Sequence, residues 1–156
     1  MAYTGARKRR SLRAVLMAAL VGVGLLIPVG VAAAQPSLVP GTPCTSGARA
    51  CVDLASRQAW LVDNGAVIYG PVPVGPGGPG QETPRGDFTV ERKNANHRSR
   101  EFNGAPMPWS VFFAPGGIAF HEGDVDRPSA GCVRLRPQDA PAFFDFLAIG
   151  DPVQVR

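Results

Sequence analysis

The sequence predicts a small, mainly β domain, a β-sandwich or mixed sheet with one helix near its C-terminus. Three observations carry that prediction. Asn64-Gly65 sits between two apolar runs, Gln58 to Asp63 and Ala66 to Gly70, and marks a tight hairpin. Phe88-Thr89-Val90-Glu91 alternates apolar and polar residues, as a half-buried strand does. Only from Pro137 to Leu147 do apolar residues (Ala140, Phe143, Phe144, Leu147) fall at helical spacing, with Pro at the first position and Gly150 as the stop.

In chain order, the 156 residues open on Arg7-Lys8-Arg9-Arg10 and Arg13, followed by an uncharged stretch from Ala14 to Ala34 that ends in Ala32-Ala33-Ala34. A basic, then apolar, then small-x-small order reads as a secretory signal over residues 1–34. The competing reading is an uncleaved N-terminal anchor, since the run approaches the roughly 20 residues that span a bilayer. Gly22, Gly24, Pro28 and Gly30 favour cleavage after Ala34. Either way the domain is expected outside the cytoplasm. Gln35 to Pro43 reads as a Pro-rich extended linker with nothing to bury, so the folded domain is expected over 44–156. After the hairpin and a turn-rich loop, Gly75-Pro76-Gly77-Gly78-Pro79-Gly80, the strand at Phe88 follows. Arg92 to Arg100 is polar and reads as a loop, with His97 exposed in it. Met107 to Ala114 and Gly117 to Phe120 are apolar runs parted by Pro115-Gly116, and Val133 to Leu135 and Pro152 to Val155 complete the strands.

The net charge of +4 belongs to the leader, which holds five basic residues and no acidic ones. From Gln35 onward, 16 − 5 = 11 basic residues face 12 acidic ones, a balance of −1. That balance lacks the basic footprint of a nucleic-acid binder. Membrane contact is expected only through the N-terminal segment, and a monomer is expected.

Cys44, Cys51 and Cys132 all lie in the exported part, where disulfides persist. Cys44 and Cys51 are seven apart across a short polar segment and are the favoured pair, although spacing alone proves no connectivity. Cys132 is then the odd thiol. His121, one of two histidines, stands eleven positions before it at the end of an apolar run, and a polar, turn-rich stretch from Glu122 to Gly131 lets the chain fold back. Imidazole is the usual base for making a thiolate. The residues alone leave a nucleophile and a buried structural thiol evenly matched. Metal binding needs three or four ligands at fixed spacing, which one His, one Cys and scattered acids do not supply. Glu122, Asp124 and Asp126 read as solvated loop charges, and no metal or cofactor is expected.

Four segments together resemble the L,D-transpeptidases of bacterial cell-wall synthesis, the YkuD-type catalytic domain, and the actinobacterial kind in particular. They are Thr83-Pro84-Arg85-Gly86-Asp87-Phe88, Ala105-Pro106-Met107-Pro108-Trp109, Phe120-His121, and Ser129 to Leu135, which is similar to the family's S-H-G-C-(V/I)-(R/N). The resemblance implies a cysteine acyltransferase acting on peptidoglycan stem peptides as donor and acceptor. Cys132 would be the nucleophile and His121 the base, oriented by a main-chain carbonyl such as that of Glu122. Amides around Ala130, Gly131 and Cys132 would receive the oxyanion. Ser129, Arg134 and Met107 would contact substrate. The implied product is a 3→3 cross-link, and carbapenems would acylate the thiol. One departure stands out: Ala130 occupies the position of the family's histidine. Hydrolysis of stem peptides by the same acyl-enzyme, or a non-catalytic peptidoglycan-binding role, are the competing functions.

Overall fold

A computed structural model describes residues 1–2 and 37–156; the expected leader lies almost wholly outside the described residues. The described elements are β1 (Ala50–Asp53), β2 (Gln58–Asp63), β3 (Ala66–Gly75), β4 (Gly86–Thr89), β5 (Arg92–Arg98), β6 (Pro106–Ala114), β7 (Ile118–Glu122), β8 (Val133–Leu135), the helix α1 (Ala140–Phe146) and β9 (Pro152–Val155). They form one mixed sheet in the order β4-β9-β1-β2-β3-β8-β7-β6-β5. The pairs β1–β9 and β7–β8 are parallel. The remaining pairs are antiparallel.

Asn64-Gly65 makes the expected hairpin, both residues at positive φ, as a two-residue turn of this type requires. β3 then continues five residues past the expected end. Its Pro71 and Pro73 lie where β3 pairs with β2 alone, and only Val74 and Gly75 pair with β8. A proline without an N–H is tolerated on such a one-sided stretch. β3 thus hands the sheet from one half to the other. The sheet curls far enough that Phe88 on β4 meets Phe113 on β6 at 5.9 Å between ring centroids.

The core fills the concave side. Leu61, Val111, Phe113, Phe120, Leu135 and Val153 point into it, and α1 closes it by setting Phe143 on Phe120 at 5.2 Å. The helix is shorter than expected, because the Arg136 carbonyl accepts from both the Asp139 and Ala140 amides and turns residues 137–139 before the helix begins. Asp139 accepts from the Tyr69 hydroxyl instead of capping. At the other end Lys93 Nζ donates to the Leu147 carbonyl at 2.6 Å, a cation placed at the negative helix terminus.

Two expectations are corrected. Residues 37–43 are not a free linker. Val39 is 1% exposed, its amide bonds to the Cys44 carbonyl, and the Ser46 amide bonds to Ser37, so the segment folds back onto the domain. Arg92 to Arg98 is not a loop but the edge strand β5, paired with β6 along its length. Its side chains are nearly all polar, which hides the apolar alternation of a strand, while Arg92 and His97 find packing on the ring of Phe112. Charged side chains also guard an exposed sheet edge against unwanted pairing.

Candidate active site

Side chains along a strand alternate between faces, so register decides which residues share a surface. Parallel pairing of β7 with β8 sets Phe120 beside Val133 and His121 beside Arg134. Phe120, Val133 and Leu135 therefore point into the core. His121, Arg134 and, one step before β8, Cys132 emerge on the opposite face. They line a cleft of about 720 Å3 together with Met107, Ser129 and Ala130. Cys132 lies one strand over from His121 and displaced along it.

Met107 and Phe112 share that face only because β6 changes parity between them. Trp109 takes φ 59°, an uncommon conformation for a bulky residue. Trp109 itself then packs on Phe144 of the helix, while Met107, Phe112 and Ala119 form the apolar floor beside Cys132.

His121 is 7% exposed. Its Nδ1 donates to the Glu122 carbonyl at 2.7 Å, which fixes the tautomer and leaves Nε2 as an acceptor. Glu122 thus contributes its main chain. Burial holds the His121 pKa below its ordinary 6.5; the Glu122 carbonyl opposes this, and the positive charge of Arg134 adds to it. Burial also pushes the Cys132 thiol above its ordinary 9.0, and the Sγ lies 3.8 Å from the Gly117 carbonyl. Both shifts favour the uncharged forms, a protonated Cys132 thiol and a neutral His121 imidazole.

The turn that carries Cys132 is pinned by two hydroxyls. Ser129 Oγ donates to the Cys132 carbonyl and accepts from the Gly131 amide. The Gly131 N–H is therefore spent within the turn rather than offered to the cleft, contrary to the expectation for an oxyanion donor. Thr83, 3% exposed, accepts from the Gly77 amide and donates to the Gly131 carbonyl, both at 2.9 Å. Gly77 also bridges to Ser129, and a Cβ on Gly77 would stand 2.0 Å from the Gln81 carbonyl oxygen. The glycine-proline loop is thus a strap over the Cys132 turn, a role its sequence reads only as turn-rich. The available signal was Thr83, a hydroxyl three residues past the end of the glycine-proline loop. Arg134 Nη1 is held by the carbonyls of Arg127 and Pro128, at 3.2 Å each. It lies flat over Gly123, where a Cβ would approach its Cδ to 2.9 Å. Cys44 and Cys51 are disulfide-bonded and buried with Ala48 and Trp60, and Cys132 is free. His97, read as an exposed loop residue, instead lines the cleft from β5.

Among solved structures, the chain is similar to an L,D-transpeptidase from Stackebrandtia nassauensis at 30% identity and TM-score 0.64, over 69% of this chain and 54% of that one. It is similar to an L,D-transpeptidase from Mycobacterium smegmatis at 25% identity and TM-score 0.60, over 69% and 57%. L,D-transpeptidase 3 from Mycobacterium tuberculosis, solved with a faropenem-derived adduct, shares the fold at 20% identity and TM-score 0.61, over 69% and 59%. The chain therefore spans little more than half the length of these proteins. No curated protein matches it. The model of the YkuD L,D-transpeptidase catalytic domain matches residues 47–155, and with that span the chain belongs to this family.

Proposed function

We propose that the protein is an exported L,D-transpeptidase that works through a Cys132 acyl-enzyme. The observation that carries this reading is the placement of His121 and Cys132 on one face of the β7–β8 pair, with His121 Nδ1 tied to the Glu122 carbonyl and Nε2 left to accept a proton. A stem tetrapeptide lies in the cleft with its L-to-D peptide carbonyl at Cys132. His121 Nε2 takes the thiol proton as sulfur attacks that carbon. The amides of Ala130 and Cys132 receive the developing oxyanion. Collapse breaks the C–N bond, and His121 returns the proton to the departing D-alanine amine. The side-chain amine of a diaminopimelate residue on a second strand then attacks the thioester, loses its proton to His121 and releases the thiol, leaving a 3→3 cross-link.

Ser129, Arg134 and Met107 contact the donor in this scheme. The Cys44–Cys51 bond supports export, since such bonds persist in oxidising compartments. Residues 1–34 supply the leader or anchor. Ala130 removes an imidazole but keeps its amide, so the acylation machinery is retained.

The test is mass spectrometry after incubation with a carbapenem. A covalent adduct on Cys132, absent in Cys132→Ser, is expected. A folded, reduced protein that forms no adduct would sink the enzyme reading in favour of a binding module. Muropeptide products from purified tetrapeptide then separate dimer formation from hydrolysis.

A further inference from the structure

From residue 35 onward the basic and acidic side chains nearly cancel, yet the cleft is not neutral. Arg92, Arg100 and Arg134 line it against a single acid, Glu101. Arg92 lies 3.2 Å from the centroid of the Phe112 ring, over the apolar floor next to Cys132. The ion pairs among the described residues use Arg49 and Arg156, so none of the three cleft arginines has a carboxylate partner among the described residues. Both histidines register the resulting field. His97 is held below 6.5 by burial and then by Arg92 and Arg100, and Arg134 adds to the depression of His121.

Strand order places these charges at different distances from the chemistry. Cys132 and Arg134 belong to β8 and its approach, His121 and Ala119 of the floor to β7, Met107 and Phe112 of the floor to β6, and Arg92 to β5. Three strand spacings of about 4.8 Å put β5 roughly 14 Å from β8, the span of about four extended residues. The Arg92 guanidinium reaches back from there over Phe112 on β6, two strand spacings or roughly 10 Å from β8, so it meets a group about three extended residues from the scissile carbonyl on the same ligand. A guanidinium fork matches a carboxylate in charge and in geometry, and a cleft lined by one sign of charge concentrates ligands of the other.

We propose that Arg92 and Arg100 are specificity-determining residues that select a donor stem peptide with free carboxylates over the same peptide with those carboxylates amidated. The inference rests on the transpeptidase reading and adds the charge state of the substrate to it. The test compares kcat/KM for the free and amidated tetrapeptides in the wild type and in the Arg92→Gln/Arg100→Gln double variant. The wild type should prefer the free acid by about tenfold, a preference carried in KM and reduced by salt, since exposed charges are screened. In the double variant it should fall to about twofold or less. Peptide binding to Cys132→Ala, read by calorimetry, should show the same wild-type preference without turnover. Equal use of both peptides by the wild type, or a preference unchanged in the double variant, overturns the selectivity while leaving the enzyme reading intact. Neither turnover nor binding of either peptide overturns both.

Discussion

Thr83→Val tests whether the strap over the Cys132 turn matters for the proposed chemistry. The substitution keeps shape and removes the hydroxyl that joins Gly77 to Gly131. It strands a backbone donor and a backbone acceptor, the second of them buried, and each stranded group costs about 1–3 kcal/mol. A net loss of about 3 kcal/mol is expected, a large share of the roughly 5–15 kcal/mol that holds a domain folded. At about 4 °C per kcal/mol for a domain of this size, that lowers Tm by about 12 °C. Thr83→Ser keeps the hydroxyl and loses one methyl, at about 1 kcal/mol. The functional effect follows from position, since the Gly131 carbonyl belongs to the residue just before Cys132. Loosening it shifts the sulfur, and displacements near 1 Å cost on the order of a hundredfold in rate. Carbapenem acylation, followed well below the Tm of each variant, should slow by at least about tenfold in Thr83→Val and by no more than about threefold in Thr83→Ser. Two results would refute the reasoning: Thr83→Val acylating at the wild-type rate with unchanged Tm, or Thr83→Ser failing as badly as Thr83→Val.

Three further outcomes are expected. Alkylation of Cys132 by iodoacetamide should stay slow from pH 6 to 8 and rise only above pH 9. The thiol's pKa is raised above 9.0, so the thiolate fraction at pH 7 is below about 1%. The His121 pKa is lowered instead, so its neutral, proton-accepting form persists below pH 6.5 and acylation should hold its rate down to that pH. Fast alkylation already at pH 6 would reveal a preformed thiolate–imidazolium pair and contradict this account. Ala130→His should raise the carbapenem acylation rate if an imidazole at the cleft wall assists chemistry; an unchanged rate assigns that residue no part in acylation here.

Much of this site was legible before folding. Cys132 stood out as the odd thiol once Cys44 and Cys51 were paired. His121 stood at the end of an apolar run, which is where β7 delivers it. The helix was legible from Phe143 and Leu147, although its first turn was lost to the Arg136 carbonyl. β5 was not legible, because its strand signal depends on a cation and an imidazole packing against Phe112, contacts that exist only across the sheet. Val39 was read as linker for the same kind of reason: one valine among prolines has no periodicity, and its burial comes from a turn closed by Cys44. Thr83 stood out only as part of a segment of family resemblance, because its bonds to Gly77 and Gly131 exist only once the glycine-proline loop folds over the turn.

The sequence by itself determined the identities that chemistry needs: three cysteines of which one must be odd, an imidazole, and a motif with Ala130 where a histidine is usual. Tertiary structure alone decided which of these meet. Parallel register between β7 and β8 put His121 and Cys132 on one face, the parity change at Trp109 turned Met107 toward them, and edge pairing brought His97 and Arg92 to the same cleft. Register and parity arise from hydrogen bonds between segments distant in the chain, so no local pattern carries them.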